Sequence, residues 1–382
     1  MSQKRSIFED VGAEKSQSPQ VQAKGVIDSA NKGARGAIRA WLIVLFALVG
    51  VMIAVGGLTR LTDSGLSITE WNVVKGALPP MSAEAWDAEF EKYKAIPEYQ
   101  LQNKGMSLAE FKTIYWWEWG HRQLGRVIGL VWAAGFLFFW LTKRIPTGWT
   151  PRLLGLGLLG GLQGAIGWWM VSSGLTGTML DVASYRLAIH LGLAFVILGL
   201  IAWYVLALGR AERDLMQARR AQEPRLRAHS SWLVGFAFVQ ILLGALVAGI
   251  DAGRNYTDWP LMAGGLLPPD MWQIEPVWRN LFENDGTVQF MHRLWGYLLL
   301  ILAGITWRRS RHSSYTRTKR AFDWILVLIF GQAVIGIITV MFSAPWHLAI
   351  LHQIMAVLVW VLIIRGRHLA QYPIAQSVRE VR

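Results

Sequence analysis

The chain has 382 residues, 53% of them apolar and 16% charged, against about 25% charge in a soluble domain. With 21 tryptophans and no cysteine it reads as a polytopic membrane protein without disulfides, thiolate-bound haem, iron–sulfur clusters or cysteine zinc sites. The net charge of +13 does not point to nucleic acid, because Lys and Arg fall in short segments between apolar stretches, as positive-inside topology requires.

Residues 1–36 are polar and predict a disordered cytoplasmic tail. Glu9, Asp10, Glu14 and Asp28 make it unlike a mitochondrial presequence, and no cleavable signal peptide is visible. Eight apolar stretches follow near 38–58, 118–141, 152–171, 185–208, 231–250, 288–307, 322–342 and 347–365, each long enough to cross the hydrocarbon. Most Lys and Arg lie in the tail, the 142–152, 209–230 and 308–320 loops and the C-terminus. Few lie in 59–117, 172–184, 251–287 and 343–346. Both termini are therefore expected inside, with even-numbered helices entering from the outer face.

The two halves repeat. His121-Arg122-Gln123-Leu124-Gly125 answers to His292-Arg293-Leu294-Trp295-Gly296, and Leu187-Ala188-Ile189-His190 to Leu348-Ala349-Ile350-Leu351-His352. Gln163 and Gly167 match Gln332 and Gly336, while Glu70-Trp71 and Asp258-Trp259 each precede a Leu-Pro-Pro run. Four helices per half give both halves one orientation. The expected fold is all-α, a polytopic membrane protein whose eight transmembrane helices form two parallel-duplicated four-helix bundles. The first bundle spans 37–208 and the second 231–366, with a cytoplasmic linker at 209–230 and a cytoplasmic tail at 367–382.

Of eight histidines, His229, His312 and His368 lie in or beside basic segments and are read as solvated. His347 aligns with Tyr185, so the repeat does not support it as a ligand. His121, His190, His292 and His352 remain, each near the start of an even-numbered stretch and paired within its half. A six-coordinate haem needs two imidazoles from opposite faces, which facing helices supply. The bland alternative is a hydrogen bond between helices. Duplication in register favours haem, and zinc lacks a recurring third ligand.

Arg122, Arg126, Arg186 and Arg293 suit pairing with haem propionates, or anchor the helices at the interface. Glu118 lies three residues before His121, hence on nearly the same helix face, where the second half has Gln289. That asymmetry implies a division of labour, chemistry in the first half and a redox cofactor in the second. The alternative for Glu118 is a helix N-terminal charge. Gly155, Gly157, Gly160, Gly161, Gly164 and Gly167 serve close packing or make room for a flat macrocycle, because no Lys-Ser/Thr follows to form a phosphate loop.

Glu118-Trp119-Gly120-His121-Arg122, with His190, His292-Arg293 and His352 in this duplicated frame, resembles the haem A synthase family over roughly residues 38–366. Without paired outer-loop cysteines it is similar to the cysteine-free, type 2 branch of alphaproteobacterial and mitochondrial members. The resemblance implies oxidation of the C8 methyl of haem O to a formyl group, giving haem A for terminal oxidases. It implies successive hydroxylations with water as the oxygen source, ending in a geminal diol that loses water. It also implies that His292 and His352 bind a haem b cofactor, that His121 and His190 flank the substrate haem O, and that Glu118 is the catalytic carboxylate. A bacterial plasma (inner) membrane location, a homo-oligomer, and contact with a haem O synthase and terminal-oxidase assembly factors rest on it alone. Two readings of the residues stay open beside it. A di-haem electron-transfer cytochrome would keep every histidine without needing Glu118, and a transporter would hold no haem.

Overall fold

The structure is a computed structural model, and it describes residues 32–177 and 179–375. Among these it has twelve α-helices, short 3-10 turns and no β-strand. In chain order they are α1 (Lys32–Leu61), α2 (Ala83–Lys94), α3 (Pro97–Leu101), α4 (Leu108–Leu141), α5 (Thr150–Val171), α6 (Ser184–Leu208), α7 (Glu212–Arg220), α8 (Pro224–Gly249), α9 (Asn280–Glu283), α10 (Asp285–Ser310), α11 (Thr316–Met341) and α12 (Trp346–Gln371). Eight of them, α1, α4, α5, α6, α8, α10, α11 and α12, are long and apolar enough to cross a membrane. This is an all-α multi-pass membrane protein.

Several helices overrun the expected stretches, and at α4 and α10 a polar cap, not hydropathy, sets the start. The expected second stretch begins at 118, but α4 begins at Leu108. There Ser107 accepts from the Glu110 N–H while the Glu110 carboxylate accepts from the Ser107 N–H, a capping box outside the apolar run. Glu118 and His121 therefore lie about three turns inside α4, and Glu118 is no N-terminal dipole charge. Asn284 caps α10 in the same manner, accepting from the Thr287 N–H. The segment expected as a linker, 209–230, contains α7 and the start of α8, and α12 continues past 366 to Gln371. Of the expected tails, residues 1–31 and 376–382 lie outside the described residues, whereas 32–36 belong to α1.

Helix α6 is the centre, packed on α1, α5, α8 and α12. Helix α1 also meets α4 and α12, and α10 joins α8 to α11. A core stripe on α1 (Ile38, Leu42, Leu45, Val49, Ile53) recurs at three- and four-residue spacing and buries against Leu198 and Ile201 of α6. Lipid is as apolar as leucine, so close contact and satisfied N–H groups hold such helices together. A Cβ on Gly192 would sit 2.6 Å from Leu242, and one on Gly366 2.6 Å from Ile325. Indole N–H groups donate to carbonyls on neighbouring helices: Trp41 to Val131, Trp132 to Leu153, Trp295 to Phe236 and Trp360 to Phe195.

One end of the bundle carries the long 62–107 and 250–284 connections, called here the loop-rich end. On it α2 and α3 fold over the start of α4 through an aromatic cluster of Trp86, Phe90, Tyr93, Phe111 and Tyr115. His368 corrects the sequence reading. It is buried, 3% exposed, with its ring edge-on to Trp203 at 5.0 Å, because α12 runs on and packs this turn against α6. His312 and His347 are exposed.

Candidate functional site

The four histidines come from four helices: His121 from α4, His190 from α6, His292 from α10 and His352 from α12. Each ring lies against a glycine of an adjacent helix. A Cβ on Gly56 of α1 would lie 3.2 Å from His121, on Gly167 of α5 2.8 Å from His190, on Gly244 of α8 3.0 Å from His292, and on Gly336 of α11 2.9 Å from His352. A Cβ on Gly167 or Gly336 would displace the ring, and one on Gly56 or Gly244 would require it to yield slightly. All four imidazoles are only partly covered by protein atoms.

Three of the rings are also clamped. One helical turn before the glycine stands a glutamine, and its amide donates to the backbone carbonyl of the histidine. Gln163 reaches His190 O at 3.0 Å, Gln240 reaches His292 O at 3.1 Å, and Gln332 reaches His352 O at 3.0 Å. The same amide nitrogen lies 3.1–3.3 Å from both ring nitrogens in each case. Pinned to the main-chain carbonyl, the amide packs against the ring, where a neutral imidazole offers it one acceptor nitrogen. The sequence reading paired Gln163-Gly167 with Gln332-Gly336. It missed Gln240-Gly244 in α8, which has the same four-residue spacing, and Gly56 in α1.

His292 and His352 face each other with ring centroids 6.4 Å apart and planes at 75°. A metal–imidazole bond of about 2 Å on each side, plus about 1 Å from nitrogen to ring centre, sums to roughly this separation. The separation of the two ring centres matches that of two imidazoles on one iron. The glycine cradles and the neutral nitrogen donors fit a flat macrocycle with two axial ligands. Among the described residues no group of three His, Asp or Glu could hold a bare metal ion.

Glu118 is 2% exposed and carries four hydrogen bonds. One carboxylate oxygen accepts from Ser67 Oγ and the Ile68 N–H, both at 2.7 Å. The other accepts from Arg122 Nε at 3.1 Å and Nη2 at 2.6 Å. Arg122 goes on to donate to Glu70 O and Ile68 O. The unit fastens the loop after α1 onto α4. In the second half, Gln289 donates to Ala252 O and Asn255 O, and Arg293 donates to the carbonyls of Tyr256, Asp258 and Leu261. An amide suits a loop that presents carbonyls, and a carboxylate suits one that presents N–H and O–H. Half-buried on their helices, Arg122 and Arg293 thus hold loop backbone. Arg126 does the same with Val73 O and Asn72 O, while Arg186 donates to Trp169 O in the last turn of α5. Arg186 and Arg293 each keep a buried Nε–H with no partner among the described residues.

The Gly-rich face of α5 divides by function. Gly157 makes room for Trp132 and Gly167 for His190, while Gly155, Gly160, Gly161 and Gly164 face open space.

Residues 39–364 match the model of a family described as cytochrome oxidase assembly protein. This chain belongs to that family. A haem A synthase of Dinoroseobacter shibae is 67% identical over 99% of both chains. Haem A synthases of Ruegeria sp. (strain TM1040) and Paracoccus denitrificans are 63% and 58% identical, covering 98% of this chain and 99% and 98% of their own.

Proposed function

We propose that this family member is a haem A synthase, a membrane oxidoreductase that converts the C8 methyl of haem O to the formyl group of haem A. The observation that carries the reading is the recurrence of one ligand cradle at four histidines, with one pair at the separation a single iron needs. Near-full-length identity to proteins bearing that name supports it.

The proposed division has His292 and His352 holding a haem b cofactor, and His121 and His190 flanking haem O. The bound haem b iron would supply a redox centre for electrons leaving the methyl group. The remaining roles fall to the chain's own side chains. Gln240 and Gln332 pin the main chain of the cofactor ligands and pack against their rings, and Gln163 does so for His190. The unpartnered Nε–H groups of Arg186 and Arg293 are donors available to a propionate at each half's loop-rich end, beside the N–H groups that Arg122 and Arg126 keep outside their bonds to loop backbone, Gln123 and Glu118. Glu118 holds the loop over the first site. To act as a base on water or on the reacting carbon it would release one of its four donors, with Ser67 Oγ the neutral side-chain donor among them. Both termini inside, a plasma (inner) membrane location, the two bundle-domains at 37–208 and 231–366, a homo-oligomer, and delivery from a haem O synthase to terminal-oxidase assembly factors belong to the same proposal.

One observation favours the electron-transfer cytochrome as a second reading: Gln289 performs the loop-fastening work of Glu118 without a charge. The experiment that separates the two is co-expression of wild type and Glu118→Gln with a haem O-forming enzyme in a host lacking haem A, followed by haem extraction. Gln keeps an oxygen toward Ser67 and Ile68 and loses the ion pair. Haem A from wild type and almost none from Glu118→Gln, with the b-type spectrum kept, supports the synthase. Haem B alone at two per chain would assign electron transfer.

A further inference from the structure

The cradle at His121 departs from the other three. One turn before Gly56 stands Met52, where Gln163, Gln240 and Gln332 precede their glycines. The positions correspond in space as well as in sequence. A Cβ on Gly125, one turn after His121, would lie 3.2 Å from the Met52 methyl; a Cβ on Gly296, one turn after His292, would lie 3.4 Å from the Gln240 amide nitrogen. A thioether cannot donate a hydrogen bond. Among the described residues no side chain is hydrogen-bonded to the His121 ring.

The ring orientation differs too. His190, His292 and His352 turn Cε1 and Nδ1 toward their glycines, with Cε1 nearest at 2.8, 3.0 and 2.9 Å. His121 turns Nε2 and Cδ2 toward Gly56, with Nε2 nearest at 3.2 Å. The two settings differ by a half-turn about Cβ–Cγ, and no amide partner distinguishes them at His121.

We propose that Met52 makes His121 the exchangeable ligand of the substrate site. Its unclamped ring turns to take up haem O and to let go of product, while the three glutamine-held imidazoles stay fixed. The inference rests on the proposed assignment of the first half to substrate. It explains a requirement that the second half does not share: a substrate haem must leave after each turnover, whereas a cofactor haem must stay. A flexible, unbranched thioether fills the space beside the ring without fixing it. Met52 is a positioning residue, acting through His121.

The test is the rate at which full-length purified protein, loaded with haem O, passes its haems to excess haem-scavenging apoprotein, read together with the spin state. Second-sphere partners of metal ligands typically change affinity by about 10–100-fold. Met52→Gln is therefore expected to slow first-site transfer by about tenfold or more and to raise its low-spin fraction. Met52→Leu, which also cannot donate, is expected to exchange like wild type. The reciprocal Gln240→Met is expected to speed haem loss from the second half by a similar factor, and it decides the matter if Met52→Gln fails to accumulate. Wild-type exchange in both Met52→Gln and Gln240→Met would overturn the role of the clamp. Slowing by Met52→Leu equal to that by Met52→Gln would reduce Met52 to a space-filler. A wild-type protein that binds no haem O at all would remove the proposed function itself, and this inference with it.

Discussion

The pair His121–His190 and the pair His292–His352 are built from the same parts, and they differ only around His121. His190 has its glycine and its glutamine, as both second-half histidines do. On the α1 and α4 side of the first pair, Met52 replaces the clamp of Gln240 and Glu118 replaces the amide of Gln289. The first connection also carries α2 and α3, packed on α4 through an aromatic cluster, where the second has the short α9. A cofactor site can be symmetric and fully held. On the proposed division, a site that receives, oxidises and releases a haem would gain from one loosened ligand and a nearby charge. Met52 and Glu118 lie on one helix pair, α1 and α4. The halves remain joined: Gln353, beside His352, donates to Ile53 O of α1 at 2.7 Å, and Arg60 of α1 pairs with Asp251 from the second half at 2.9 Å.

The comparison breaks most directly at the ligands. His292→Ala should abolish the low-spin b-type spectrum of the purified protein, and a spectrum fully retained would move the cofactor to the first half. Glu118→Gln comes next. Loss of a group acting in proton transfer costs about 100-fold or more, so haem A should fall by at least about that factor while the b-type spectrum stays. Undiminished haem A would leave Glu118 as a loop brace, equivalent to Gln289.

Smaller effects should grade with the glycine contacts. Gly336→Ala sets a Cβ 2.9 Å from the clamped His352 ring, and should weaken second-site haem retention by about tenfold. Gly56→Ala, at 3.2 Å from a ring free to move, should cost less at the first site. Haem titration would sink the cradle argument if the order were reversed.

The smallest effect concerns Glu98 of α3, 3% exposed, with one carboxyl oxygen unpartnered. Burial, then the charges of Asp181, Asp63 and Glu118, push its carboxyl up to about 8 from the ordinary 4.5, with Tyr93 and Asn103 as its hydrogen-bonding neighbours. The folded protein keeps the proton that the unfolded chain loses, so this stability is present below about 4.5 and is lost as pH rises through about 8. Glu98→Gln should flatten that decline, raising the Tm at pH 8.5 by a few degrees relative to wild type and hardly at pH 5. Equal pH dependence in the two proteins would show that Glu98 ionises freely.

Apolar length made the eight spans legible, and duplication singled out four of the eight histidines, because membrane burial leaves few reasons for a titratable ring. The start of α4 was not legible, since a capping box ten residues upstream of the apolar run sets it. The pairing of Arg122 with Glu118 follows from that shift, which puts both well inside one helix, four residues apart. Gln240-Gly244 was present in the sequence at the spacing of its two counterparts. The flanking sequences of α1 and α8 are not alike, because α1 carries Met52 where α8 carries Gln240. Met52 carries no polar signal at all, and only the other three cradles give it meaning. His368 looked solvated beside arginines, yet the extra turn of α12 buries it against Trp203.

In the proposed division the first half works on a haem substrate and the second half keeps a haem cofactor. Extraction and mass analysis of the haems in purified wild type, His190→Ala and His352→Ala, beside their reduced-minus-oxidised spectra, test it most directly. The account predicts haem B together with haem O, its hydroxylated form or haem A in wild type. His190→Ala should lose the O- and A-type haems and keep haem B, and His352→Ala should lose haem B. Two haems B per chain, lost equally from either variant, would contradict it.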